Sequence, residues 1–190
     1  MNAESASLDV RPFQPADVVA VRELFSRVPE RDRTFFREDV LEPGVIESWM
    51  RDGHGRRWLA CSDLLVVGYL ALLPGVGWSS HVGEMRLVVD PAHRRAGIGR
   101  RLARHAVMEA GAMGLTKLVV EVVAEQQPTV AMFTSLGFEA EGLLRDHVRS
   151  RSGDAQDGYD EHDLLILSHF VDELSTSISS VGIDDAIDTA

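Results

Sequence analysis

The chain has 190 residues, 45% of them hydrophobic, with 19 Lys and Arg against 30 Asp and Glu and a formal net charge of −11. That length suits one domain with a substantial core, and the acidic balance argues against nucleic acid, whose phosphates need a basic face. No apolar run nears the roughly 20 residues that cross a bilayer, and Met1-Asn2-Ala3-Glu4 lacks the basic-then-apolar order of a signal peptide, so no membrane partner and a cytoplasmic location are expected.

Residues 1–7 read as an N-terminal extension, 8–171 as one domain and 172–190 as a polar tail rich in Ser, Asp and small side chains. Leu8 to Phe13 alternates like a strand. Gln14-Pro15-Ala16-Asp17 then starts a helix whose apolar positions Val18, Val21, Leu24 and Phe25 follow helical spacing. A second helical region is predicted over 35–50, interrupted near Pro43-Gly44; the spacing of Phe35, Phe36 and Trp49 favours core packing, with contact to a substrate as the alternative. Residues 57–61 and 64–73 read as strands joined at Ser62-Asp63. The lone cysteine, Cys61, excludes an internal disulfide and, following Trp58-Leu59-Ala60, reads as a small core residue. After the break at Pro74-Gly75-Val76-Gly77 a strand runs over 82–89, and then comes Arg94-Arg95-Ala96-Gly97-Ile98-Gly99.

That segment reads as a phosphate cradle. Two glycines in three positions let consecutive amides turn into one concavity, and the helix opening there adds unpaired first-turn N–H groups and the positive end of its dipole. A P-loop needs Lys-Ser/Thr after its last Gly, but Arg100-Arg101 follow Gly99; a dinucleotide fingerprint needs a third Gly where Leu102 stands. Between positions 86 and 104 six arginines (86, 94, 95, 100, 101 and 104) face one acid, Asp90, and Arg94, Arg95 and Arg100 are the natural counter-charges for phosphates. The following helix buries Leu102, Ala103, Ala106, Val107 and Ala110 and ends at Gly111 or Gly114. A strand over 117–123, a short helix over 129–136, and two last strands over 142–149 and 159–168 complete the chain. His147, His162 and Asp163 on that hairpin do not define a metal site.

The pattern R-x-x-G-x-G after a strand ending Val88-Val89-Asp90-Pro91 resembles the coenzyme A loop of the GNAT N-acetyltransferase superfamily. The strand 117–123, the short helix, the signature Leu136-Gly137-Phe138 and a closing hairpin extend the resemblance over residues 83–170. It implies an α/β (α+β) GNAT fold: a mixed, mostly antiparallel sheet, splayed at the acetyl-CoA site and flanked by helices. It implies acetyl-CoA as cofactor, held by Leu87, Val88, Val89, Arg94, Arg95, Ala96, Gly97, Ile98, Gly99, Arg100, Gln126 and Phe133, with no metal. The acetyl group passes directly to a primary amine.

An amine of pKa about 10.4 is protonated at neutral pH, so a base is needed. Glu84, ten positions before Arg94, stands where similar bacterial protein-lysine acetyltransferases carry Ala-Glu; here the pair is Gly83-Glu84. Glu121, a carboxylate within an apolar strand, is the second candidate. A family β-bulge at Leu87-Val88-Val89 would free the Val88 N–H for the thioester oxygen. The family's frequent tyrosine four residues before the signature Gly is Phe133 here, which donates no proton; Ser135 and Tyr159 are the alternative hydroxyls. Gln126 replaces a frequent asparagine. The resemblance favours a protein lysine as acceptor, with polyamine or antibiotic amines as alternatives and a homodimer left open. A weakly active CoA-binding sensor or regulatory module is the non-enzymatic alternative.

Overall fold

Among the residues described by the computed structural model, 8–33, 36, 38–151 and 158–171, seven strands form one sheet. The expectations for the extension 1–7, for Phe35 and for the tail 172–190 lie outside the described residues. In chain order the elements are β1 (Leu8–Pro12), α1 (Val18–Arg27), α2 (Glu30–Arg33), α3 (Val45–Arg51), β2 (Arg56–Ser62), β3 (Leu65–Pro74), β4 (Val82–Val89), α4 (Ile98–Ala112), β5 (Lys117–Val123), α5 (Gln127–Thr134), β6 (Glu139–Arg151) and β7 (Tyr159–Phe170). The sheet order is β1-β2-β3-β4-β5-β7-β6. Every neighbouring pair is antiparallel except β4 and β5, which are parallel.

Side-chain alternation divides the core into two layers. One face buries Leu70, Leu72, Met85, Leu118, Val120 and Val122 beneath α4 and α5; the other buries Leu59, Val66, Tyr69 and Val88 beneath α1 and α3. α4 presents Leu102, Ala103, Ala106 and Ala110 to the sheet, the stripe its spacing predicts. Its close approach depends on Gly68: a Cβ there would lie 2.9 Å from Leu102 Cδ1 and 3.2 Å from Ile98 Cγ2. Beneath α1, Phe25, Phe36, Trp49 and Tyr69 form an aromatic cluster with centroid separations of 4.8 to 6.5 Å, its pairs edge-on or tilted except for the stacked Phe36 and Trp49. Cys61 is buried there, and burial pushes its thiol up, as befits a core residue.

Of the predicted helical region over 35–50, the described residues carry one α-helix, α3 (Val45–Arg51), preceded by turns, while α2 ends before the region begins; α3 starts after Gly44, whose φ of 91° is open to glycine. The short helix 129–136 lies two residues earlier, because Pro128 fits a first helical turn. Leu136-Gly137-Phe138 is a Schellman terminus: Gly137 has φ 84°, Phe138 N–H donates to Phe133 C=O at 3.1 Å, and Gly137 N–H donates to Thr134 C=O at 3.0 Å. The apolar contact that accompanies this motif is Phe133 against Phe138, centroids 5.1 Å apart. β6 begins at Glu139, earlier than predicted, and its register against β7 shifts at Ala140/Gly142 and Leu144/Val148.

Candidate active site

β4 and β5 pair over three positions only, Val82 with Lys117, Gly83 with Leu118 and Glu84 with Val119. Beyond these, β4 continues along β3 and β5 along β7, so the sheet parts between residues 85–89 and 120–123. The expected bulge at Leu87-Val88-Val89 is absent: the β3–β4 register runs unbroken from Pro74/Gly83 to Gly68/Val89. The gap opens because β5 turns away.

Asp90 N–H donates to Val67 C=O at 2.9 Å and Gly75 N–H to Val82 C=O at 2.8 Å, which fixes the even-numbered residues of β4 as the hydrogen-bonded partners of β3. Val88 therefore directs its N–H at Tyr69, not into the gap as the sequence reading had it. Alternation leaves the backbone groups of Leu87 and Val89 on the gap side.

At the end of β4, Asp90 is 2% exposed and its Oδ1 accepts from Ala92 N–H at 2.9 Å, capping the turn Pro91–His93. Arg95 (φ 64°) and Gly97 (φ 76°) then take left-handed conformations, the alternation that turns successive amides inward. The first intrahelical bond of α4 is Arg101 N–H to Gly97 C=O at 3.0 Å, so the amides of Ile98, Gly99 and Arg100 have no intrahelical acceptor. A Cβ on Gly99 would sit 3.3 Å from Met132 Sδ and 3.7 Å from Val89 Cγ2, so glycine keeps this corner narrow. Left-handed turns, unpaired amides and the absent Cβ fit a diphosphate at 94–100.

The arginines divide. Arg94 NH2 donates to Asp32 Oδ2 at 2.7 Å, Arg100 NH2 donates to Ser135 Oγ at 2.7 Å, and Arg95 is exposed. Arg101 and Arg104 are exposed on the outer face of α4. Arg86 is not part of the cradle: it lies on the opposite face, where its Nε donates to Glu84 Oε1 at 2.7 Å and its NH1 to Phe36 C=O at 3.0 Å. Gln126 stands at the N-cap position of α5 without a side-chain capping bond, and Phe133 is buried against Phe138. Ser135 Oγ donates to Met132 C=O at 2.6 Å, and Tyr159 is exposed on β7. His162 hydrogen-bonds Ser150 at 2.9 Å.

A cleft of about 530 Å³ opens on the α1/α3 side, lined by residues that include Glu38, Trp49, Asp52, His54, Arg57, Glu84, Arg86 and Glu121. Both sequence candidates for the base thus share one cavity. Four carboxylates face two guanidiniums there, an excess that suits a cation. Glu38 Oε2 accepts from Trp49 Nε1 at 2.9 Å, and Arg57 lies 5.5 Å from the Trp49 ring centre while its Nε donates to Tyr69 Oη at 3.1 Å. Burial pushes the Tyr69 hydroxyl far up, so it remains a neutral phenol. Glu38, Asp52, His54 and Arg57 carried no sequence signal, since they come from different elements and meet only in the fold.

The Acetyltransferase (GNAT) family profile matches residues 18–138. Phosphinothricin N-acetyltransferase of Streptomyces viridochromogenes is 26% identical over 155 residues, 76% of this chain and 81% of that protein. N-alpha-acetyltransferase RimI of Mycobacterium tuberculosis is 27% identical over 160 residues, 82% of this chain and 93% of that protein. In fold the chain is similar to spermidine N-acetyltransferase from Vibrio cholerae in complex with CoA and spermine, with a TM-score of 0.69 at 16% identity over 86% of this chain and 95% of that one. With its splayed sheet and its cradle at 94–99, the chain belongs to the GNAT family of N-acetyltransferases, which use acetyl-CoA.

Proposed function

We propose that the chain transfers acetyl directly from acetyl-CoA to a primary amine that enters through the carboxylate-lined cleft, with Glu84 as the base. The position of Glu84 carries this reading: it occupies the last paired position of β4 and β5, where the gap and the cleft meet. Acetyl-CoA supplies a thioester carbonyl open to attack. The amides of Ile98, Gly99 and Arg100, with Arg94, Arg95 and Ala96-Gly97, hold its diphosphate, while the backbones of Leu87 and Val89 align its pantetheine arm as a missing strand would. Gln126 and the Phe133 wall bound the arm on the β5 side.

Glu84 takes the amine proton directly or through one water, and Arg86 holds the carboxylate at 2.7 Å so that its orientation is set before the amine arrives. Leu87 N–H, not Val88 N–H, is the donor for the carbonyl oxygen as negative charge gathers there. Phe133 is retained by its contact in the helix terminus and donates nothing, which a thiol with pKa near 8.5 tolerates as a leaving group.

The cleft's carboxylate excess supports a cationic acceptor, and an extended amine such as a protein lysine is placed first. Thiol release from acetyl-CoA, followed with lysine peptides, N-terminal peptide amines, spermidine and phosphinothricin, tests this. Amine-dependent release greatest with the lysine peptides is the expected result; preference for another amine overturns the lysine assignment. Thermal stabilisation by CoA with no release for any amine favours the second reading, a CoA-binding regulator, which the absent hydroxyl at Phe133 supports.

A further inference from the structure

The turn that leads into the cradle is gripped from the far end of the fold. α1 ends on Arg27, whose Nε donates to Asp90 Oδ2 at 2.6 Å and whose NH2 donates to Val66 C=O at 2.9 Å. In α2, Asp32 Oδ2 accepts from Arg94 NH2 at 2.7 Å. The junction between α1 and α2 therefore reaches both ends of the segment 90–94, and the two ion pairs have opposite polarity. At the first, the junction offers a cation to an acid; at the second, an acid to a cation.

The pairs also differ in exposure. Asp90 is 2% exposed and accepts from Ala92 N–H as well as from Arg27, with His93 Nδ1 at 3.7 Å from its Oδ2. A carboxylate so desolvated persists only where several donors hold it, and those donors fix the shape of the turn around it. The Arg94 side chain is 43% exposed and its partner Asp32 14%. The guanidinium edge that Asp32 occupies belongs to the arginine that opens the cradle, and a carboxylate there repels any phosphate that approaches the same group.

We infer that the two pairs tune cofactor affinity in opposite directions: Arg27 and Asp90 are positioning residues that hold the turn in its anion-receiving shape, whereas Asp32 competes with phosphate for Arg94. The inference rests on the reading of residues 94–100 as the diphosphate site. On binding, the carboxylate of Asp32 gives up Arg94, and the buried pair remains in place.

Calorimetric titration of the full chain with CoA, together with KM for acetyl-CoA and kcat, separates the two roles. Asp32→Asn is expected to tighten CoA about two- to fivefold, the fold equivalent of a partly exposed ion pair, with kcat unchanged. Asp90→Asn and Arg27→Gln are expected to weaken CoA by about tenfold. In an Arg94→Ala background, which itself binds CoA more weakly, the gain from Asp32→Asn disappears, as a double-mutant cycle requires. Weaker binding by Asp32→Asn, or a gain that persists without Arg94, overturns the competitor role. If Asp90→Asn does not fold, Arg27→Gln carries the test of the buried pair; a lowered melting temperature with unchanged CoA affinity in that variant overturns its positioning role. Arg94→Ala with undiminished CoA binding instead removes the diphosphate reading itself.

Discussion

The cradle and the carboxylate-lined cleft lie at opposite ends of the gap between β4 and β5, and they are built in opposite ways. The cradle is a contiguous stretch of backbone whose shape depends on two left-handed residues, an aspartate cap and a glycine corner. The cleft is made of side chains gathered from α3, β2, β3, β4, β5 and their loops. A site made of amides keeps its ligand through sequence change that preserves its turn, because every residue but proline supplies an N–H. A site made of side chains changes its ligand with a few substitutions. Proteins similar to this chain are named for different acceptors, phosphinothricin and spermidine among them.

The contrast can be broken most sharply at Glu84. Glu84→Gln is expected to lower kcat at neutral pH by at least about 100-fold, as loss of a general base does, with CoA affinity nearly unchanged. Glu121→Gln serves as the comparison and is expected to cost less than about tenfold; the reverse ranking moves the base to β5. On the backbone side, Gly68→Ala is expected to cost about 1–3 kcal/mol in denaturant unfolding, since the added methyl meets Leu102 at 2.9 Å and α4 must back away from the sheet. Gly97→Ala meets no neighbour, but its φ of 76° is strained for any Cβ, so a loss of about 1–2 kcal/mol is expected, with weaker CoA binding and unchanged amine selectivity. Altered amine selectivity in that variant would mean that cradle and cleft are not separable.

The smallest effect is one of pH. Burial works against the charge on Asp90, but Ala92 N–H and Arg27 outweigh it and hold the carboxyl below its ordinary value. A group depressed in this way adds stability above its unfolded value, about 3.9, and loses it as pH falls through the folded one. The melting temperature is therefore expected to fall below about pH 4, and Asp90→Asn to lack that part of the fall. An identical acid limb in both proteins would show that the pair contributes nothing.

What could be read from the sequence follows the same division. Arg94 to Gly99 announces itself because turn, amides and helix start all lie within six residues. Leu136-Gly137-Phe138 was visible as a signature, and its physical meaning, a helix terminus with its apolar contact, came with Gly137 φ and the Phe133–Phe138 packing. That contact also accounts for an aromatic residue at 133 without its hydroxyl. Glu84 and Glu121 were legible one at a time; that they share a cavity was not, because parallel pairing of β4 with β5 leaves no local trace. The assignment of Val88 failed because which edge a strand residue faces is set by its partner's register, and the register proved regular. Asp32 gave no signal at all: it reaches Arg94 across 62 positions of sequence.

Three paired positions between β4 and β5 leave the sheet as two slabs, four strands on one side and three on the other, sharing one short seam. On the proposed function, a thioester substrate lying along Leu87 and Val89 would lengthen that seam with amides of its own. Deuterium uptake at Leu87 and Val89 should therefore be rapid in the free chain and slow once the arm is seated, which makes the substrate a temporary structural member of the protein it reacts in.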